Sequence, residues 1–134
     1  MHDVCGPAVI VSKFMTKDPH CIQRDEPLRQ AHRLMRHFHV RHLPVLDGDE
    51  LIGLVSERDL YLLETLRGVN PGTEPVSEAM TERPYSVPPD AKIVDLVRAM
   101  RKEKYGSAVI VERKRVVGIF TRSDALRVLE ERLS

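Results

Sequence analysis

Aromatic side chains are scarce in this chain. They make up 4% of 134 residues, and tryptophan is missing altogether. That scarcity argues against a stacking platform for single-stranded nucleic acid. Charge of one sign is lacking too: 21 Lys and Arg face 20 Asp and Glu, a net charge of +1. Nothing in that balance suggests nucleic acid or an anionic membrane. No apolar run approaches the roughly 20 residues that a membrane-spanning helix needs. The opening Met1-His2-Asp3-Val4-Cys5-Gly6-Pro7 has no basic segment leading into a long apolar one, so no secretory signal is expected. Cysteine occurs twice, at Cys5 and Cys21, without metal-ligand spacing. The expectation is free thiols in a reducing cytoplasm. Hydrophobic residues at 42% and charged residues at 31% are ordinary for a globular protein of one core.

What the chain does have is one unit written twice. At an offset of 65, residues 11–67 lie on 76–132 without a gap, and 12 of those 57 positions are identical. Unrelated sequences of average composition would share roughly 3 or 4. Among the identities are Met15/Met80, Thr16/Thr81, Pro19/Pro84, Asp25/Asp90, Gly53/Gly118 and Asp59/Asp124. A repeat of this kind sets the organisation: copy 1 over 7–67, a linker over 68–75 and copy 2 over 76–134.

Each copy reads alike. A short helix ends near Met15 or Met80, and an extended piece follows at His20-Cys21-Ile22 or Tyr85-Ser86-Val87. Asp25 or Asp90 then suits the cap of a helix, with Pro27 near the start of the first. Leu28, Ala31, Met35 and Phe38 recur at helical spacing, as do Ile93, Leu96, Val97 and Met100. Two apolar strands come next, Leu43 to Leu46 and Leu51 to Val55, joined by the turn Asp47-Gly48-Asp49-Glu50. In copy 2 they are Ser107 to Val111 and Val116 to Phe120, joined through Glu112-Arg113-Lys114-Arg115, where the turn chemistry is weaker. A last helix carries Leu60, Leu63 and Leu66, or Leu126, Leu129 and Leu133. The fold class is α/β (α+β), two βαββα-like repeats. The linker, Gly68 to Pro75, is dense in chain breakers and short. Copies this small are expected to pack together about a pseudo-twofold, their sheets facing a cleft that suits a ligand.

Ser56 and Thr121 sit where a strand turns into a helix, with Asp59 and Asp124 three residues on. One reading is a capping box that satisfies the free amides of the first helical turn. The other is a nucleotide site. A helix N-terminus offers amides to phosphate, and a carboxylate can accept from two ribose hydroxyls.

The chain resembles the CBS-domain family, named after cystathionine β-synthase. The resemblance rests on Met-Thr-x-x-Pro at 15–19 and 80–84, and on Gly-Leu-Val-Ser-Glu-Arg-Asp at 53–59. Gly-Ile-Phe-Thr-Arg-Ser-Asp at 118–124 and Arg41-His42-Leu43-Pro44-Val45 complete it. It implies a regulatory module that binds AMP, ADP, ATP or S-adenosylmethionine, with the Asp on the ribose and the Ser or Thr near the phosphate. It also implies sites built from both repeats. One would join Thr121, Arg122 and Asp124 to Val40, Arg41 and His42, with His20 and Ile22 as the base wall. The mirror site would join Ser56, Arg58 and Asp59 to Tyr105, Gly106 and Ser107, with Tyr85 and Val87 as wall. The first is expected to be the stronger, because Arg41, His42 and Arg122 converge on the phosphates where the second has only Lys104 and Arg58. The family further implies a homodimer formed through the last helices, for which Leu62, Leu63, Val128 and Leu129 are suited. No effector domain is read here, so regulation is expected to act on a separate protein.

Other signals are weaker. His37, His39 and His42 do not share a helical face and lie among arginines, so no metal site is expected. Met15, Met35, Met80 and Met100, at equivalent helix positions, suit core packing. Arg127, Glu130, Glu131 and Arg132 suit the exposed face of the last helix. No Gly-x-Ser-x-Gly elbow, Gly-rich phosphate loop or paired Cys/His motif suggests catalysis, and no enzyme is expected. Two alternatives stay open: a dimerisation or scaffold module with vestigial clefts, and single-stranded RNA binding through Arg33, Arg36, Arg41 and His42.

Overall fold

The computed structural model describes residues 9–134, so Cys5 and the first two residues of copy 1 lie outside the described residues. Its strands and helices run β1 (Thr16–Lys17), β2 (Ile22–Gln23), α1 (Leu28–Phe38), β3 (His42–Asp47), β4 (Glu50–Ser56), α2 (Glu57–Arg67), β5 (Thr81–Glu82), β6 (Ser86–Val87), α3 (Ile93–Glu103), β7 (Ser107–Glu112), β8 (Arg115–Thr121) and α4 (Arg122–Leu133). Short 3-10 turns, Val11–Lys13 and Val76–Glu78, precede β1 and β5. The mixed α/β architecture agrees with the reading of the repeat.

Two compact units divide the chain. One is Pro19–Pro84; the other joins the described residues up to Asp18 with Tyr85–Ser134. The borders of the sequence copies and of the units therefore differ. The cause lies in strand pairing. In the Pro19–Pro84 unit the sheet order is β2-β3-β4-β5, and β5, from the start of copy 2, closes it by pairing antiparallel to β4, Gly53 opposite Glu82. In the other unit the order is β1-β8-β7-β6, and β1, from the start of copy 1, pairs with β8, Lys17 opposite Gly118. Each copy thus lends its first strand to the sheet of the other.

A glycine makes that pairing possible. A Cβ on Gly53 would lie 2.9 Å from Cγ of Met80, and one on Gly118 would lie 2.9 Å from Cγ of Met15. Each methionine side chain fills the space its glycine leaves open. These two methionines lie outside helices, just beyond the 3-10 turns, and so do not share the helix positions of Met35 and Met100 expected from the repeat.

In the Pro19–Pro84 unit, Leu28, Ala31 and Met35 of α1 pack with Leu43, Val45 and Val55 of the sheet and with Leu60 of α2. In the other, Ile93, Leu96 and Met100 of α3 pack with Ala108, Ile110 and Phe120. Removing such residues from water is the main stabilising term in each. Phe38 and Val97, expected on the same buried faces, are 38% and 41% exposed.

The expected caps are a further correction. The N-caps of α1 and α3 are Pro27 and Lys92, and neither makes a side-chain cap bond. Asp25 and Asp90 stand too early to serve. The free amides of the first turns bond to backbone carbonyls of distant segments: Leu28 N–H to Glu74, Arg29 N–H to Pro71, and Ile93 N–H to Val9. Those carbonyls do what a capping side chain would do.

Candidate functional site

Both Ser/Thr-x-x-Asp elements form complete capping boxes at a strand-to-helix junction. In the Pro19–Pro84 unit, the Asp59 amide donates to Ser56 Oγ at 3.0 Å, and the Ser56 amide donates to Asp59 Oδ2 at 3.0 Å. In the other unit, the Asp124 amide donates to Thr121 Oγ1 at 3.4 Å, and the Thr121 amide donates to Asp124 Oδ2 at 2.9 Å. The capping reading is therefore correct as local structure. It leaves amides of the first helical turn and one carboxylate oxygen, Oδ1, for other use.

The two carboxylates differ in what meets that oxygen. Asp124 is buried, 6% exposed. Its Oδ1 accepts from Arg127 Nη2 at 3.1 Å and, more weakly, from Thr16 Oγ1 at 3.5 Å. Arg127 also donates to the carbonyl of Phe14 at 2.6 Å. Expected on the plain exposed face of α4, Arg127 is half exposed but committed at its tip. Asp59 is half-buried, and the position matching Arg127 is Leu62. Among the described residues, Asp59 Oδ1 has no partner.

The helix ends differ as well. In α2 the amide of Glu57 donates to the carbonyl of Arg41 at 2.9 Å, so that donor is spent within its own unit. Among the described residues no matching bond forms at Arg122, the first residue of α4. Arg122 itself is exposed, as are Arg58 and Arg41.

The remaining expected residues fall into two groups. In the Pro19–Pro84 unit, His42 pairs across the strands with Ser56, and the Val40 amide bonds to the Met35 carbonyl at 3.0 Å. The His20 ring stacks on Phe38, centroids 3.4 Å apart. Ile22, expected as an apolar wall, is 4% exposed and belongs to the core of this unit. In the other unit, Ser107 pairs with Thr121, and Tyr85 stacks on Tyr105 at 4.8 Å. Burial, with the neighbouring Tyr105 and Asp95, pushes the Tyr85 phenol above its usual pKa. Val87 packs on the core, Gly106 is half-buried, and Ser107 Oγ is a buried hydroxyl without a partner among the described residues. Such a group carries a cost of about 1–3 kcal/mol.

Thr16 and Arg127 are the residues missed at this site. Thr16 lies inside the repeated Met-Thr-x-x-Pro, so a signal existed; its role depends on the exchanged strand.

Among the described residues no cluster of three metal-ligating side chains occurs. No helix among them is long and apolar enough to cross a membrane. Cys21 is a free thiol whose pKa is pushed up by burial. Of the four residues suited to a helix-mediated dimer, Leu62 and Leu129 are 45% and 52% exposed. Leu63 and Val128 instead pack on the cores of their own units.

Comparison with known proteins places these features in one group. The family model for the CBS domain matches twice, at residues 11–63 and 76–131. The crystal structure of a putative acetoin utilization protein (AcuB) from Vibrio cholerae is similar, with TM-score 0.84, 32% identity, and 95% of this chain and 94% of that one covered. A structure of CBSX2 in complex with AMP gives TM-score 0.80 at 24% identity, covering 94% of this chain and 99% of that one. The CBS domain pair of MJ0100, in complex with 5-methylthioadenosine and S-adenosyl-L-methionine, gives TM-score 0.85 at 20% identity, covering 94% and 99%. Curated relatives vary in length: the chain covers 37% of protein MJ1232 of Methanocaldococcus jannaschii, at 29% identity over 89% of this chain.

Proposed function

Because this chain belongs to the CBS domain family and carries two CBS domains in tandem, we propose that it is a regulatory module that binds an adenosine-bearing nucleotide. The observation that carries the reading is the Thr121–Asp124 box at the head of α4. A buried carboxylate there lies beside an unspent helix amide and the Arg122 cation. Those are the three groups that a ribose, a phosphate and its charge require. The ligands in CBSX2 and in the MJ0100 domain pair, AMP and S-adenosyl-L-methionine, support the class.

In this reading Asp124 accepts from the ribose hydroxyls once Arg127 releases Oδ1, and Thr121 with Arg122 meets the phosphate. Asp59, with Ser56 and Arg58, serves a second nucleotide. The signal passes to a separate effector protein, and a homodimer forms through exposed apolar residues of the helices, Leu62 and Leu129 among them. A scaffold module with unused sites is the competing reading; the unpartnered Asp59 Oδ1 and the twofold retention of Asp speak against it.

A thermal-shift screen of AMP, ADP, ATP, NADH and S-adenosylmethionine tests the proposal. A ligand well above its dissociation constant raises the melting point. One adenosine compound is expected to do so, and Asp124→Ala is expected to abolish the shift. No shift with any compound favours the scaffold.

A further inference from the structure

The outer faces of α1 and α2 in the Pro19–Pro84 unit frame a groove of about 420 Å³. Three arginines of α1 line it, Arg29, Arg33 and Arg36. Their spacing of four and then three residues puts them in one row along the helix. Opposite them, α2 contributes Tyr61 and Glu64. Glu64 is already engaged, with its Oε2 2.5 Å from Nε2 of His32. Among the described residues none of the three arginines forms an ion pair.

Packing holds part of this row in position. The Arg29 amide donates to the Pro71 carbonyl at 2.8 Å, and its guanidinium lies over Gly72, where an added Cβ would come within 2.9 Å of Nη2. The glycine lets the guanidinium approach the turn, whose backbone is tied by the Gly72 amide to Asn70 Oδ1 at 2.8 Å.

The repeat supplies an internal control. At the offset of 65, Arg29, His32, Tyr61 and Glu64 correspond to Val94, Val97, Leu126 and Leu129. None of these four polar groups is present at the matching positions of α3 and α4. Arg33 and Arg36 keep their counterparts in Arg98 and Arg101, but Arg98 has Asp95 at 3.9 Å. The residue matching Asp95 is Gln30. Copy 1 thus lacks the carboxylate that would neutralise its row and adds a third guanidinium.

We infer that the groove between α1 and α2 is a second ligand site, for a polyphosphate chain. Guanidinium forks pair with phosphate oxygens in bidentate fashion, and three in a row span successive phosphates. Tyr61, 54% exposed and tilted against His32 with centroids 5.1 Å apart, offers an aromatic wall for a base when the chain belongs to a nucleotide.

Calorimetric titration of sodium tripolyphosphate at physiological salt tests it. Saturable binding is expected, weakened ~tenfold or more by Arg33→Gln/Arg36→Gln. The control Arg98→Gln/Arg101→Gln, at the same repeat positions in the other unit, is expected to leave it unchanged. All four side chains are exposed, and unchanged melting temperatures show that both variants fold. In an Asp59→Ala/Asp124→Ala background, ATP binding as tightly as tripolyphosphate assigns the site to the phosphate chain alone. Tighter binding of ATP, lost in Tyr61→Ala, assigns a nucleotide. Absence of saturable binding, or equal loss in both arginine pairs, overturns the inference. So does a single-stranded RNA that binds this face while tripolyphosphate does not.

Discussion

Arg127 Nη2 lies 3.1 Å from Asp124 Oδ1, and the residue at the same place beside Asp59 is Leu62. The copies therefore hold the same carboxylate in two states, one engaged and one open. A ribose at Asp124 must displace a guanidinium that is also anchored on the Phe14 carbonyl. Replacing Arg127 by the residue of the other copy frees the oxygen. Arg127→Leu is expected to tighten AMP binding by about 1 kcal/mol, roughly fivefold, the scale of one hydrogen bond. Calorimetry with AMP reads this directly. Weaker binding would make Arg127 a phosphate ligand instead.

Gly53→Ala and Gly118→Ala are both expected to destabilise. Each new methyl group would lie 2.9 Å from the Cγ of its methionine, closer than packed carbons sit. Each should cost about 1–3 kcal/mol, the usual range for overpacking. Urea unfolding measures both. Met15→Ala combined with Gly118→Ala should recover part of the loss, which a double-mutant cycle detects.

The two hairpin turns give a prediction of opposite sign. Arg113 and Lys114 have φ of 52° and 67°, in the left-handed region, while the matching turn of copy 1 uses Gly48 at 66°. Side chains there cost about 1–2 kcal/mol. Lys114→Gly is therefore expected to stabilise the protein by about 0.5–1 kcal/mol in chemical denaturation, and Gly48→Ala to destabilise it by a similar amount.

Cys21 should react slowly. Burial raises its pKa above the ordinary value of 9.0, and the thiolate is the nucleophile. In a Cys5→Ser background, alkylation by iodoacetamide is expected to be slow at neutral pH and to rise with pH to a midpoint above that of an unfolded control. The linkage has a definite sign. A raised thiol pKa adds stability that is fully present below the unfolded pKa and is lost as pH climbs through the folded one. A midpoint equal to that of the control would contradict the burial.

The features legible in the sequence were the local ones. Ser56 to Asp59 and Thr121 to Asp124 span four residues each, and their capping geometry follows from that spacing. The hairpins were legible from apolar runs and from Asp47-Gly48. The strand exchange was not, because β1 and β5 are two residues long and their partners lie far along the chain. For the same reason Asp25 and Asp90 suit caps in the sequence and do not cap in the fold: the Glu74, Pro71 and Val9 carbonyls that serve those helices are invisible locally. At Asp124, the salt bridge to Arg127 is a helix neighbour at three residues and within reach of pattern reading. The Phe14 carbonyl that fixes Arg127 is set only by the exchanged segment.

The central claim is that Asp124 holds a nucleotide, and titrating AMP into the wild type, Asp124→Ala and Asp59→Ala measures it most directly. Saturable AMP binding is expected, which Asp124→Ala weakens by ~tenfold or more and Asp59→Ala weakens much less. AMP binding that is indifferent to Asp124→Ala would contradict it.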